Sequence, residues 1–264
     1  MDFATVEKHV GGIPYILPAL AREIYDFIMA QKPRACLELG FAHGASSCFI
    51  AAALEEVGHG HLTAVDLLSA RHWQQPAIED LLARTGLQPW VTVVREPTSY
   101  TWFLKRQIEA CTQANTCRPC YDFCFLDGAK NWTIDSAAFF LADKLLRPES
   151  WILFDDLQWT YASKRKEGKR KSDGIDLHTM GPDEIEQPHI ELIFQLLVMQ
   201  HPDYANFRIQ DNWWAWAQKT PNGDKTPVVV MSKAYQRRLA EWERRSGRRH
   251  RAPFEPHADP SGKH

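Results

Sequence analysis

The stretch LELGFAHGASS (37–47) decides the fold. It begins inside an apolar run, ACLEL (35–39), which lies between Pro33 and Gly40 and reads as a short buried strand. Two glycines then allow a sharp turn, and ASSCFIAAALEEVG (45–58) follows as a helix closed by Gly58. The same alternation runs outward in both directions. LPALAREIYDFIMA (17–30) precedes it as a helix. HLTAVDL (61–67), WVTVVRE (90–96), YDFCFLD (121–127) and SWILFDD (150–156) follow as strands. Between them QQPAIEDLLARTG (74–86), SYTWFLKRQIEACTQ (99–113) and DSAAFFLADKLL (135–146) read as helices, the last with Asp135 as N-cap. Strands alternating with helices predict a doubly wound, mostly parallel sheet covered on both faces. FRIQ (207–210) and WWAWAQK (213–219) flank Asp211-Asn212 as a C-terminal antiparallel hairpin, which brings the expected strands to seven.

Composition narrows the class. The chain has 264 residues, 44% of them hydrophobic, with a net charge of −2. Those values fit an ordinary globular domain and argue against a whole-surface nucleic-acid binder. The N-terminus MDFATVEKHV has no apolar leader and no run approaches a membrane span, so a cytoplasmic location without membrane contact is expected. Six cysteines include an isolated pair in CRPC (117–120); with no second ligand pair it reads as a loop bearing free thiols rather than a zinc site. The expected organisation is one domain over 1–220, with an N-terminal helical segment (1–34) and a substrate-side loop (157–182). A basic helix and a disordered tail (221–264) follow it.

Ligands of such sheets bind beyond the carboxyl ends of the strands. Here those ends are Glu38–Gly40, Asp66, Glu96, Asp127 and Asp155–Asp156, and each carries an acid. The first turn is G-x-x-x-G (Gly40, Gly44) rather than a dinucleotide fingerprint, and a carboxylate at Glu38 would repel a pyrophosphate. It suits a cationic or hydroxyl-bearing ligand, and Asp66 is placed to accept hydrogen bonds from ribose hydroxyls. ELGFAHGAS with Asp66 resembles the first motif and the ribose-binding acid of the class I, Rossmann-like S-adenosylmethionine-dependent methyltransferases. That resemblance implies that Gly40, Gly44, Ser46, Asp66 and Asp127 line the methyl donor, with Glu38 near its amino-acid end.

Asp127 and Lys130 end the fourth strand, and Asp155 and Asp156 end the fifth. Neighbouring strands bring these groups into one cleft, where three carboxylates repel one another unless a cation joins them. A hard divalent ion such as Mg²⁺ accepts this oxygen set and favours a substrate with adjacent oxygens. D-x-x-K followed 28 positions later by an acidic pair resembles the metal-dependent O-methyltransferases of catechol and macrolide-sugar type. By that resemblance Asp127, Asp155 and Asp156 are metal ligands, Asp127 and Lys130 are catalytic, and Lys130 is the base. The family pairs through N-terminal helices in many members, so a homo-oligomer is the corresponding expectation.

On the substrate side stand Trp159, Tyr161 and His178, with KRKEGKRK (164–171) between them. That run reads either as a lid attracting an acidic substrate or as a solvated loop. The expected activity is S-adenosylmethionine-dependent O-methylation of a small natural-product-like catechol or sugar diol with Mg²⁺. One alternative drops the metal and allows an N- or O-acceptor with Lys130 or His178 as base. Another makes the chain a nucleic-acid-binding methyltransferase-like module.

Overall fold

The computed structural model describes residues 1–172 and 174–246. Two helices, α1 (Phe3–Val10) and α2 (Pro18–Gln31), lead into the sheet. Pro18 opens α2, where its missing N–H costs nothing, and Lys32 closes it in the left-handed region. The parallel core is built from β1 (Ala35–Leu39), β2 (His61–Leu67), β3 (Val91–Glu96), β4 (Tyr121–Leu126) and β5 (Leu146–Phe154). Helices α3 (Ala45–Val57), α4 (Ile78–Thr85), α5 (Tyr100–Cys111) and α6 (Trp132–Leu145) connect them.

The antiparallel strands β6 (Ala205–Gln210) and β7 (Trp214–Gln218) form the expected hairpin, with Asp211 and Asn212 both near φ +53. That geometry is a primed two-residue turn, which Asp and Asn tolerate better than other side chains. A short eighth strand, β8 (Val228–Val230), joins the edge beside β6. The sheet order is β8-β6-β7-β5-β4-β1-β2-β3, so the doubly wound, mostly parallel reading is borne out and extended by one edge strand. The hairpin belongs to the main sheet: β7 pairs antiparallel with β5, setting Ala215 opposite Phe154.

Apolar side chains bury both faces. One cluster holds α1, α2 and α3 against Phe123, Phe125, Leu153, Trp214 and Trp216. The other packs α5 and α6 with the following helices against Leu39, Leu126, Phe154 and Ala215. Strands buried on both faces read as continuous hydrophobic runs, which is why ACLEL and YDFCFL do not alternate.

Two local expectations are corrected. Asp135 is not an N-cap: Asn131 caps α6, its side chain accepting from the Thr133 and Ile134 amides at 3.0 and 3.2 Å. Asp135 is instead fully buried one turn in, where it accepts from the Asn131 amide at 2.7 Å and from the Tyr100 hydroxyl. The segment 182–198 folds as two short helices and a π-turn, Pro182–Glu186, His189–Ile193 and Phe194–Val198. The run 164–171 is no open loop, since a helix at Ala162–Lys166 and a small hairpin pairing Lys171–Ser172 with Ile175–Asp176 give it structure. The tail beyond the helix Lys233–Ser246 lies outside the described residues. No helix among the described residues is long and apolar enough to cross a membrane.

Candidate functional site

A cleft of about 630 Å³ opens at the carboxyl ends of the parallel strands. Its lining runs from Gly40, Asp66 and Ser69 past Ser99 and Asp127–Lys130 to Asp156, Trp159 and Lys164. The size suits a small molecule and a cosubstrate together.

At the first turn the glycines are dictated by close approach. A Cβ on Gly40 (φ +91) would sit 2.6 Å from the Cα of Gly128, and one on Gly44 (φ +90) would sit 2.6 Å from Cβ of Ile78. Only glycine meets both demands, the left-handed backbone and the absence of a side chain. Gly40 therefore lets the end of β1 touch the turn after β4, and Gly44 lets α3 start against α4.

The two acids of this half serve the turn itself. Glu38 is completely buried and takes hydrogen bonds from the hydroxyls of Ser46, at 2.5 Å, and of Ser47. Burial pushes its carboxyl up to about 8, against the lowering by the two serines. Glu38, Gly44 and Ser46 do not line the cleft; they hold the turn from beneath. Asp66 does line it, and its Oδ2 accepts from the amides of Phe41 (3.2 Å) and Ala42 (2.9 Å) and from Gln74 (3.0 Å). Among the described residues its Oδ1 takes only the Leu67 amide, at 2.6 Å, which leaves an acceptor position for a ligand hydroxyl. Glu96, the third strand-end acid, is withdrawn from the site by a charge pair with Arg106.

The second half concentrates unresolved charge. Lys130 Nζ donates to Asp127 Oδ1 at 2.7 Å and to the Asp127 carbonyl at 2.8 Å, and it lies 3.2 Å from Asp156 Oδ2. Asp155 is nearly buried and accepts from Trp214 Nε1 at 2.7 Å and from the Asp156 amide at 2.7 Å. One oxygen from each of Asp127, Asp155 and Asp156 falls within 4.8 Å of the others. Among the described residues they are the only such group of His, Cys, Asp and Glu side chains. Lys130 (φ +55) and Asp156 (φ +61) both hold left-handed backbone, a strain that persists where the surroundings over-determine it.

Electrostatics follow from burial. Desolvation raises Asp127 to about 6, with Lys130 opposing and Asp156 reinforcing. Burial, then the charges of Asp127 and Asp156, hold Asp155 well above the usual carboxylate range. Burial alone would lower Lys130, but Asp127, Asp156 and Asp155 together carry it well above the usual lysine range. Its ammonium is the cation of this cluster, and a buried cluster of like charges needs one. A hard divalent ion fits the same donor set: three carboxylate oxygens in mutual reach, of the type such ions prefer.

The turn that carries these groups is locked by Tyr100 and Tyr161. A Cβ on Gly128 would lie 2.5 Å from Cζ of Tyr100, whose hydroxyl accepts from the Ala129 amide at 3.1 Å. Tyr161 is fully buried and donates to the Ala129 carbonyl at 2.9 Å, so it positions the turn and does not face the cleft. Trp159 lines the cleft, its ring centroid 4.6 Å from that of Tyr161. His178 is exposed in a short turn and is not part of the lining. Trp214 is fully buried and donates to Asp155. Tyr15 and Trp73 add aromatic walls beside the first turn, where Tyr15 stacks on His43 at 5.7 Å. Only the single strand-end glycine of CFLDGAKNW (124–132) hinted at the Tyr100 contact.

Residues 37–157 match the Methyltransf_24 family model, described as a methyltransferase domain. No curated protein sequence matches the chain. Among solved structures, the SAH-bound O-methyltransferase of Bacillus cereus superposes with a TM-score of 0.56 at 18% identity, over 83% of this chain and 92% of that one. SAH-bound methyltransferase PaMTH1 of Podospora anserina gives 0.57 at 14% identity, over 83% and 88%. The SAM complex of TomG from Streptomyces achromogenes, an O-methyltransferase of tomaymycin synthesis, gives 0.51 at 15%, over 83% and 87%. The resemblance to class I methyltransferases is thus borne out at the level of fold, and residues 37–157 match a methyltransferase-domain model.

Proposed function

We propose that the protein transfers the methyl group of S-adenosylmethionine to a hydroxyl oxygen of a small molecule, with a divalent cation at Asp127, Asp155 and Asp156. The observation that carries this reading is the convergence of those three carboxylates, two of which, Asp127 and Asp156, line with Lys130 a cleft that also holds Gly40 and Asp66. When bound, S-adenosylmethionine supplies an electrophilic methyl carbon, and a divalent cation supplies positive charge that favours an acceptor hydroxyl in its deprotonated form.

The chain's own residues do the rest. Asp66 Oδ1 has room to accept a ribose hydroxyl, while its other oxygen keeps the first turn closed against the cleft. The Gly40–Gly128 contact places that turn directly beside Asp127. The donor end and the acceptor end are thereby held edge to edge, which lowers the entropic part of the barrier. Lys130 holds an acceptor oxygen as an ammonium donor, or takes its proton once added positive charge has relieved the pull of the three carboxylates. Trp159 adds an apolar wall to the same cleft.

Methyl transfer from S-adenosylmethionine to catechols and vicinal diols, measured with Mg²⁺ and with excess chelator, tests the reading. Asp156→Asn should lower the rate by about 10²-fold or more while S-adenosylhomocysteine still binds. A rate indifferent to both chelator and Asp156→Asn removes the cation from the reading, and loss of S-adenosylhomocysteine binding in the unmodified protein removes the methyl transfer.

A further inference from the structure

The run KRKEGKRK (164–171) is sorted by the fold. Lys164, Lys169 and Lys171 line the cleft, and Arg165, Lys166 and Arg170 do not. Arg170 faces away and pairs with Asp176 at 3.3 Å. This orientation is built rather than incidental. Tyr161, Ala162, Leu177 and Ile185 form a small core of their own, and it carries both the helix Ala162–Lys166 and the hairpin at 171–176. The Tyr161 hydroxyl fastens that core to the Ala129 carbonyl, next to Lys130.

The charge on this wall is poorly matched within the protein. Glu167 lies 3.2 Å from Lys169 and 3.8 Å from Lys164, but it stands in solvent outside the cleft lining, where such pairs are weak. Lys171 has no ion-pair partner among the described residues. Among the described residues the acids that line the cleft are engaged elsewhere: Asp127 and Asp156 face Lys130, and Asp66 holds the first turn. A cleft wall of one sign, backed by low-dielectric protein, concentrates its field on whatever enters.

We infer that Lys164, Lys169 and Lys171 form a subsite for an anionic group, phosphate or carboxylate, on the methyl acceptor. The inference rests on the proposed methyl transfer, and it gives the acceptor two ends. Its hydroxyl reaches the Asp127–Lys130 floor. Its anion stays at the wall of Lys164, Lys169 and Lys171, which line the same cleft. Neutral catechols and plain sugar diols use only half of such a site. The flexible, compact ammonium of lysine tolerates either a tetrahedral or a planar anion, so the wall selects for charge before shape.

Isothermal titration of the whole chain at low ionic strength with inorganic pyrophosphate and, separately, with malonate tests this. At least one should bind, with the better probe marking phosphate or carboxylate as the natural group. Lys164→Gln/Lys171→Gln should bind it about tenfold or more weakly. Bound S-adenosylhomocysteine should leave the anion affinity unchanged, and the variant should bind S-adenosylhomocysteine as the parent does, which also reports that it is folded. Binding of neither anion, equal binding by the variant, or displacement of the anion by S-adenosylhomocysteine overturns the subsite. Failure of S-adenosylhomocysteine to bind, with the anion still held by the lysines, overturns the methyl transfer instead and leaves the anion site standing.

Discussion

The rim of β1 and β2 and the rim of β4 and β5 are built from the same material, acids and glycines at strand ends, yet they are in opposite states. At β1–β2 the protein settles its own charges. Glu38 is buried beneath two serine hydroxyls, and three of the four bonds to Asp66 come from the backbone amides of Phe41, Ala42 and Leu67. At β4–β5 three carboxylates share one ammonium, and two of them are held above the ordinary carboxylate range. The first rim is a finished piece of architecture that shapes a cleft. The second is a charge problem with a provisional answer, and such places are where ligands and ions bind.

The comparison breaks most visibly at Lys130. Lys130→Met leaves the second rim without its cation, and stranding buried charge in this way costs about 3–5 kcal/mol. Thermal unfolding should drop accordingly in chelator and recover in millimolar Mg²⁺, because an ion that binds only the folded state stabilises it. A drop that Mg²⁺ does not repair would mean that the carboxylates need lysine specifically. The next effect belongs to the join between the rims. Gly128→Ala drives a methyl into the Tyr100 ring, and overpacking of this kind costs about 1–3 kcal/mol in chemical denaturation. No change there would show that Tyr100 can swing aside.

The effect that sharpens the first rim is one of pH. Glu38 titrates near 8 when folded against 4.5 when free, so the folded chain holds a proton that the unfolded chain has lost. Stability should therefore fall as pH rises from 4.5 towards 8. Glu38→Gln mimics the protonated form, so it should be nearly neutral at pH 5 and should show a flatter stability profile up to pH 8. Parallel profiles for variant and parent would place the Glu38 proton elsewhere.

The strand–turn–helix rhythm and the strand-end acids were legible in the sequence because both are local: periodicity marks the elements, and topology then fixes which ends converge. Asp127, Lys130, Asp155 and Asp156 could be brought together on that basis alone. What each acid does there was not legible. Glu38, Asp66, Glu96 and Asp127 look equivalent in one dimension, and their roles separate only once Ser46, the Phe41 amide, Arg106 and Lys130 are in place. Asp135 was misread as a cap because Asn131, four residues earlier, takes that place and Tyr100 draws the acid inward. Tyr161 was misassigned for the same reason, since an aromatic near a cleft and an aromatic beneath it have the same sequence.

The Trp214–Asp155 bond has a consequence for biogenesis. Its partners are 59 residues apart, and the donor lies well beyond residue 157, where the methyltransferase-domain match ends. As the chain leaves the ribosome, all five parallel strands emerge before Trp214 does. Until that strand slots in against β5, Asp155 lacks the indole that seals it from water. Completion of the acidic rim is therefore one of the last events of folding, timed by the arrival of the hairpin rather than by the domain that bears the acids.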